Sequence, residues 1–221
     1  MLQKAFFKTD VLNPTKITNV LIFSKNGSFE TGVAYKFVVP EGYNNVVIEY
    51  AGGAGGNFES ELLGGGGSIK KLSIDIAPGE KLTIEGIAGG CGSYAGRLAA
   101  PGGSWQGGGF SDGEQGSTGD SSDEFGYYYP GGGGGGSTSV VVKGITYEAS
   151  GGGGVADYGI NSGWGGKGGG QFGGARKYNK KTSNHASMKG NDATDPEQVG
   201  LNNGVRAQGY VKIYGNYDPY L

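Results

Sequence analysis

The chain has one cysteine, Cys91, and one histidine, His185, in 221 residues. A lone cysteine excludes an internal disulfide framework. One residue of each type is also too few for a zinc site. Nucleophilic triads need a histidine base, and the only one lies in Thr182-Ser183-Asn184-His185-Ala186-Ser187, a polar stretch that reads as a surface loop. Helical periodicity is missing: no window keeps apolar residues at i, i+3, i+4 and i+7 over three turns. No apolar run approaches the roughly 18 residues of a membrane span. Lys8 and Asp10 cut short the apolar patch at the N-terminus, so a secretory signal is not expected. With 18 basic and 20 acidic residues the net charge is −2, which gives no electrostatic reason to bind nucleic acid or an anionic membrane. Proline is scarce, at 7 residues, and no strict Gly-X-Y period appears, which excludes collagen.

Glycine is abundant instead. There are 51 glycines, gathered in runs at 64–67, 107–109, 131–136, 151–154, 165–166 and 168–170. Glycine inside a regular element costs roughly 0.5–1 kcal/mol relative to alanine, so such runs normally argue for mobile loops. The rest of the composition argues otherwise: 35% of residues are hydrophobic and 11% aromatic, far from a Gly/Ser linker. The ordered alternative is a set of polyproline II-like glycine segments, with three residues per turn and no internal hydrogen bonds. Their N–H and C=O groups then bond to neighbouring segments. Mobile glycine loops on a β-scaffold are the competing expectation.

Between the runs, strand signals recur. Candidates are 17–23, 29–39 ending at Pro40, 46–50, 69–76, 81–87, 139–148 and 208–214. Glu41-Gly42-Tyr43-Asn44-Asn45 reads as a turn. Ala77-Pro78-Gly79-Glu80 has the proline-glycine order of a type II turn, which predicts a β-hairpin over 68–87. A tight hairpin is expected about Lys143-Gly144. The stretch 175–203 reads as polar and irregular. The expected fold from these signals is all-β, with the glycine-rich stretches between strands forming packed polyglycine II-like helices.

Several of these stretches, in this order, resemble one family. They are Tyr35-Lys36-Phe37-Val38-Val39-Pro40-Glu41-Gly42, Val46-Val47-Ile48-Glu49-Tyr50-Ala51-Gly52-Gly53 and Ile76-Ala77-Pro78-Gly79-Glu80-Lys81-Leu82-Thr83-Ile84. The run 131–136 leading into Ser137-Thr138-Ser139-Val140 follows, and Gly209-Tyr210-Val211-Lys212-Ile213 closes the series. The family is the glycine-rich domains at the tips of bacteriophage tail fibres and related adhesins. The resemblance covers residues 35–213 and implies a β-sandwich displaying stacked polyglycine helices to a host surface. In the small distal adhesins of T-even-like phages, the tips of such segments hold the receptor-binding residues. With about 30 residues before the resemblance starts, their long N-terminal fibre-docking domain is not expected here. The expected division is 1–32 as an attachment or oligomerisation segment and 33–221 as the glycine-rich domain.

Catalytic motifs are weak. Gly163-Trp164-Gly165-Gly166-Lys167-Gly168-Gly169 lacks the hydroxyl that must follow the lysine of a phosphate-binding loop. Asp120, Asp123 and Glu124 could pair as in a glycosidase or bind calcium weakly, but read better as a solvated acidic patch. Arg176, Lys177, Tyr178, Lys180 and Lys181 resemble a small basic patch with an aromatic; a solvated loop is the default reading, and a lipopolysaccharide phosphate is the alternative partner. The residues that glycine packing does not explain are aromatic: Phe58, Tyr94, Trp105, Phe110, Tyr127, Tyr128, Tyr129 and Tyr178. Exposed tyrosine on a rigid support gives contact area at little entropic cost. These eight are the receptor-binding candidates. No enzyme activity, cofactor or metal is expected. The expected role is a virion-borne tail-fibre adhesin, assembled in the host cytoplasm and homo-oligomeric. Its partners would be a host receptor, protein or polysaccharide, and another virion protein bound through residues 1–32. The alternative is a self-assembling filament or coat protein without a receptor.

Overall fold

The computed structural model describes residues 16–27, 35–56, 63–85, 87, 110–113, 132–154, 166–175, 190–204 and 207–221. Among them there is no helix. The strands are β1 (Ile17–Asn26), β2 (Tyr35–Val38), β3 (Tyr43–Ala51), β4 (Gly67–Ile74), β5 (Lys81–Glu85), β6 (Thr138–Val142), β7 (Ile145–Ala149), β8 (Gly200–Asn202) and β9 (Tyr210–Tyr217). They form two sheets, a 5-stranded one ordered β1-β9-β3-β4-β8 and a 4-stranded one ordered β2-β5-β6-β7. Every pairing is antiparallel.

Period-two alternation decides which side chains face inward. On β3, Val46, Ile48 and Tyr50 are buried while Val47 and Glu49 are only partly so. On β9, Val211 and Ile213 alternate with Tyr210, Lys212 and Tyr214 in the same way. Leu82 and Ile84 on β5 and Val140 and Val142 on β6 supply the opposing face, and all join one core cluster. The two sheets therefore face each other across a shared apolar interior, an arrangement consistent with a β-sandwich. The N-terminal region contributes to it: β1 pairs with β9, and Ile22 and Phe23 pack on the core.

The turns follow their local chemistry. Lys143 and Gly144 both have positive φ, 49° and 78°, as a two-residue type I′ hairpin between β6 and β7 requires. Gly79, after Pro78, has φ 82°, and the Glu80 N–H donates to the Ala77 carbonyl at 3.2 Å, as in a type II turn. What this turn connects differs from the expectation. β4 and β5 do not pair; β4 bonds to β3 and β8, and β5 to β2 and β6. The segment 75–80 is an arch between the sheets, with Ile76 turned into the core. The turn after Pro40 is also shorter than read, since the strand resumes at Tyr43. A short strand, β8, lies within the stretch read as irregular.

Tyr50 is enclosed, with 1% of its surface exposed. Burial first, and the nearby Asp195 carboxylate second, raise its phenol well above the ordinary tyrosine value. Tyr210 is raised too, by partial burial and by donating to Glu49. A group whose folded pKa is raised stabilises the fold while it stays neutral. That stability is complete below the unfolded value of about 10 and is lost as pH rises through the folded one. Urea titrations should accordingly show constant stability near neutrality and a decline above about pH 10. Replacing Tyr50 with Phe should make that decline shallower by up to about 1.4 kcal/mol per pH unit; an unchanged alkaline slope would count against the assignment.

Candidate functional site

Strands β3 and β7 run out of their sheets into glycine at Gly52 and Gly151, while glycine-rich chain runs into β4 and β6. Together with 110–113, 166–175 and 190–195, these segments lie side by side. Their hydrogen bonds follow one rule. Gly151 donates to Gly169, Gly152 to Gly53, Gly153 to Asn191, and Gly154 returns to the first neighbour at Gly166, all at 2.8–2.9 Å. Likewise Gly53 and Gly56 donate to Gly136 and Gly133, while Gly52 and Gly55 donate to Ser68 and Gly65. Gly65 and Ser68 donate to Gly153 and Ser150, Gly166 and Gly169 to Gly132 and Gly135, and Gly190 and Ala193 to Leu63 and Gly66. A β-ladder alternates with a period of two. Here the period is three, and the segments 52–56 and 151–154 each donate in three directions.

At most of these positions only glycine fits, but not for its usual reason. Among the described glycines, only Gly42, Gly79, Gly144, Gly170 and Gly204 have positive φ. Backbone freedom is thus not what the layer needs. A Cβ on Gly152 would overlap the Gly65 carbonyl, and one on Gly135 the Gly53 carbonyl. Bare backbone against bare backbone is the packing, with close Cα···O approaches adding to the N–H···O bonds. Residues 132–137 and 151–154 are buried throughout, so each polar group excluded from water must find its partner in a neighbouring segment.

Small hydroxyls mark the boundary where the period changes from two to three. The Thr138 hydroxyl donates to the Ala51 carbonyl at 2.7 Å and the Ser139 hydroxyl to the Glu85 carbonyl at 2.7 Å. The Ser137 hydroxyl donates to the Glu148 carboxylate at 2.6 Å and accepts from the Ser111 N–H. Asp195, 6% exposed, accepts from the Ser68 hydroxyl at 2.6 Å and the Ser150 N–H at 3.0 Å on the same oxygen. It pins the incoming segment 190–195 to both neighbours. The sequence reading missed these residues. Their signal was present in the Ser and Thr that flank the runs: Ser68 after Gly67, Ser137-Thr138-Ser139 after Gly136, and Ser150 before Gly151.

Away from the sheets, chain ends converge. Gly56, Gly132, Gly154 and Gly166 are linked by the bonds Gly56 to Gly133, Gly154 to Gly166 and Gly166 to Gly132; Gly190 bonds to Leu63 and packs against Gly153, while Gly64 packs against Gly55. Ala175 is joined to this end by the Asn191 amide, 3.1 Å from its carbonyl. The described residues that flank 57–62, 155–165 and 176–189 thus lie at this remote end. Of those that flank 114–131, Gly132 lies there too and Gly113 lies beside Gly134. Phe58, Tyr127, Tyr128, Tyr129 and Tyr178 belong to these stretches and lie outside the described residues. Tyr94 and Trp105 also lie outside them, between Ile87 and Phe110. Of the eight candidates only Phe110 is described. It sits at the sheet end of the layer, donating its N–H to the Ser137 carbonyl, and is 45% exposed.

Among the described residues no group of three His, Cys, Asp or Glu side chains is placed to hold a metal ion. No known protein-family model matches the chain, and no curated protein is significantly similar to it.

Two substitutions test the packing. Gly152→Ala should lower stability by at least about 3 kcal/mol, the upper range of overpacking, as read from urea denaturation. Gly200→Ala, in β8, has only the Ile69 methyl at 3.8 Å in its way and should stay within about 0.5 kcal/mol of the parent. Equal effects would refute the steric account. Separately, Asp195→Ala leaves the buried Ser150 N–H without its acceptor and the Ser68 hydroxyl with only the Ser150 carbonyl at 3.5 Å, and should cost about 1–3 kcal/mol.

Proposed function

We propose that this chain is a virion-borne adhesin of the phage tail-fibre tip type, binding a host-cell surface without performing chemistry on it. The observation that carries the reading is the convergence of chain ends at the remote end of the glycine layer. A rigid layer that releases several connecting stretches at one end is a scaffold for binding loops, which tolerate variation when the support does not move. The proposed contacts are Phe58, Tyr94, Trp105, Phe110, Tyr127, Tyr128, Tyr129 and Tyr178. The receptor class is a surface protein or polysaccharide.

In this reading the glycine segments are packed polyglycine II-like helices on a β-sandwich. Three residues per turn, no internal hydrogen bonds and three bonding directions are what the period-three pattern supports. Residues 1–32 are assigned the attachment role, to another virion protein or to further copies of the chain, with assembly in the host cytoplasm. Because β1 belongs to the larger sheet, the attaching part is better sought in residues 1–15.

A structural role without a receptor draws on a different observation. β1 is 10 residues long, lies at one edge of its sheet and exposes Ile17 and Leu21. Such an edge is open to strand addition. Cell-binding assays with purified protein separate the two. An adhesin should bind host cells, lose binding when Tyr127, Tyr128 and Tyr129 are all replaced by Ala, and keep binding when residues 1–15 are removed. Ordered self-assembly with no binding to any host surface, abolished when Ile17 and Leu21 are both replaced by Lys, would sink the adhesin reading.

A further inference from the structure

The outer face of the 5-stranded sheet carries a concavity that the glycine layer does not account for. Its volume is about 270 Å³, and Asn19, Val47, Glu49, Lys71 and Tyr214 line it. The irregularities of this sheet gather around it. β1 has register shifts between Ile17 and Val20 and between Leu21 and Phe23, and β3 has one between Asn44 and Val47, all against β9. Asn19 and Asn45, inside two of these bulges, have φ of 56° and 47°. Bulges re-aim side chains and cluster beside functional sites, and non-glycine residues in the left-handed region do the same. The Asn19 conformation is held by its N–H, which donates to the Asn216 side-chain oxygen at 3.1 Å.

The lining is chemically mixed and prearranged. The Glu49 carboxylate accepts from the Tyr210 hydroxyl at 2.9 Å and pairs with Lys71 at 3.1 Å and with Lys212 at 3.8 Å. Partial burial alone would raise its pKa, but these partners outweigh that and hold it below the ordinary carboxylate range. Lys212 also sits 4.5 Å from the Tyr210 ring centroid, which fixes it at one side. Two ammonium groups on one carboxylate leave one positive charge in excess. Lys71, with 52% of its side chain exposed, is the cation able to reach a ligand. A carboxylate has about four acceptor positions, so Glu49 keeps capacity for a further donor. Tyr214 supplies an aromatic ring, and Asn19 an amide that donates and accepts.

We infer that this concavity binds a single acidic sugar unit. Tyr214 lies against the apolar face of the ring, Asn19 and Glu49 take its hydroxyls, and Lys71 pairs with its carboxylate. Drug-sized ligands occupy roughly 300–1,000 Å³, so the space suits one pyranose better than a peptide. The site lies on the sheet face, not at the remote end of the glycine layer, and stands or falls independently of the adhesin reading.

Sodium glucuronate is the probe, titrated into the isotopically labelled full-length protein at constant ionic strength, with glucose and acetate as controls. Amide shifts should be confined to Asn19, Val47, Glu49, Lys71, Tyr214 and their neighbours, with a dissociation constant on the order of 1–10 mM. Glucose should bind about tenfold more weakly, and acetate alone should not reproduce the shifts. Lys71→Met should reduce glucuronate to the level of glucose. Asn19→Gly removes the amide while the backbone keeps a φ that glycine adopts freely, so the fold survives; binding should weaken about tenfold. Absence of shifts with glucuronate, equal binding of glucose, equal shifts with acetate, or full affinity in both variants would each overturn the assignment.

Discussion

The structure depends on the closeness with which one bare backbone approaches another. In the glycine layer a carbonyl oxygen occupies the position where a Cβ would stand, at Gly135, Gly151 and Gly152 alike. This removes the side chain as the unit of packing. What remains is the peptide group, whose N–H and C=O must be matched without water. Matching in three directions permits a layer many segments thick, whereas a sheet bonds in two. The usual entropic penalty of glycine is thus offset by a density of hydrogen bonds and close contacts that no other residue allows.

The sandwich and the layer are one cooperative object because they share chain. β3 and β7 leave their sheets as glycine segments, and other segments enter as β4 and β6. The boundary is where the two periods conflict, and it is there that Ser68, Ser137, Thr138, Ser139, Ser150 and Asp195 are found, all buried. Each is small or charged enough to satisfy a backbone group that neither a ladder nor the layer would reach. Asp195 binds two segments through one oxygen, so the junction transmits position from the apolar core to the glycine segments.

Much of the β-framework was legible. Alternation along 46–50, 81–85 and 210–214 marks inward residues directly, because period two is a property of the isolated strand. The turn residues Pro78-Gly79 and Lys143-Gly144 also specified their local geometry. They did not specify partners. A type II turn closes a hairpin or an arch with the same dihedral angles, and only the burial of Ile76 between the sheets distinguishes the arch seen here. β8 was illegible for another reason: three residues, Gly200-Leu201-Asn202, carry no pattern of their own and become a strand because β4 lies beside them. The concavity around Asn19 was invisible as a site, since it joins residues far apart in sequence, such as Glu49 with Tyr210; at the boundary the Ser and Thr beside the runs were visible, but their partners, such as Asp195 for Ser68, were not. The aromatic candidates at Phe58, Tyr127, Tyr128, Tyr129 and Tyr178 came from composition; what the structure adds is that the flanking described residues meet at one end.

The period of three also constrains how such a protein can change. Adding one residue to a layer segment rotates every donor beyond it by a third of a turn, toward the wrong neighbour. Each displaced N–H would then be buried without a partner, at about 1–3 kcal/mol apiece. Only changes in steps of three preserve the matching, so the segments resist variation in length as strongly as they resist side chains. The same steric rule that forbids a Cβ at these positions confines large side chains to sequence outside the segments, and Gly56, Gly132, Gly154 and Gly166 are where such sequence begins or resumes.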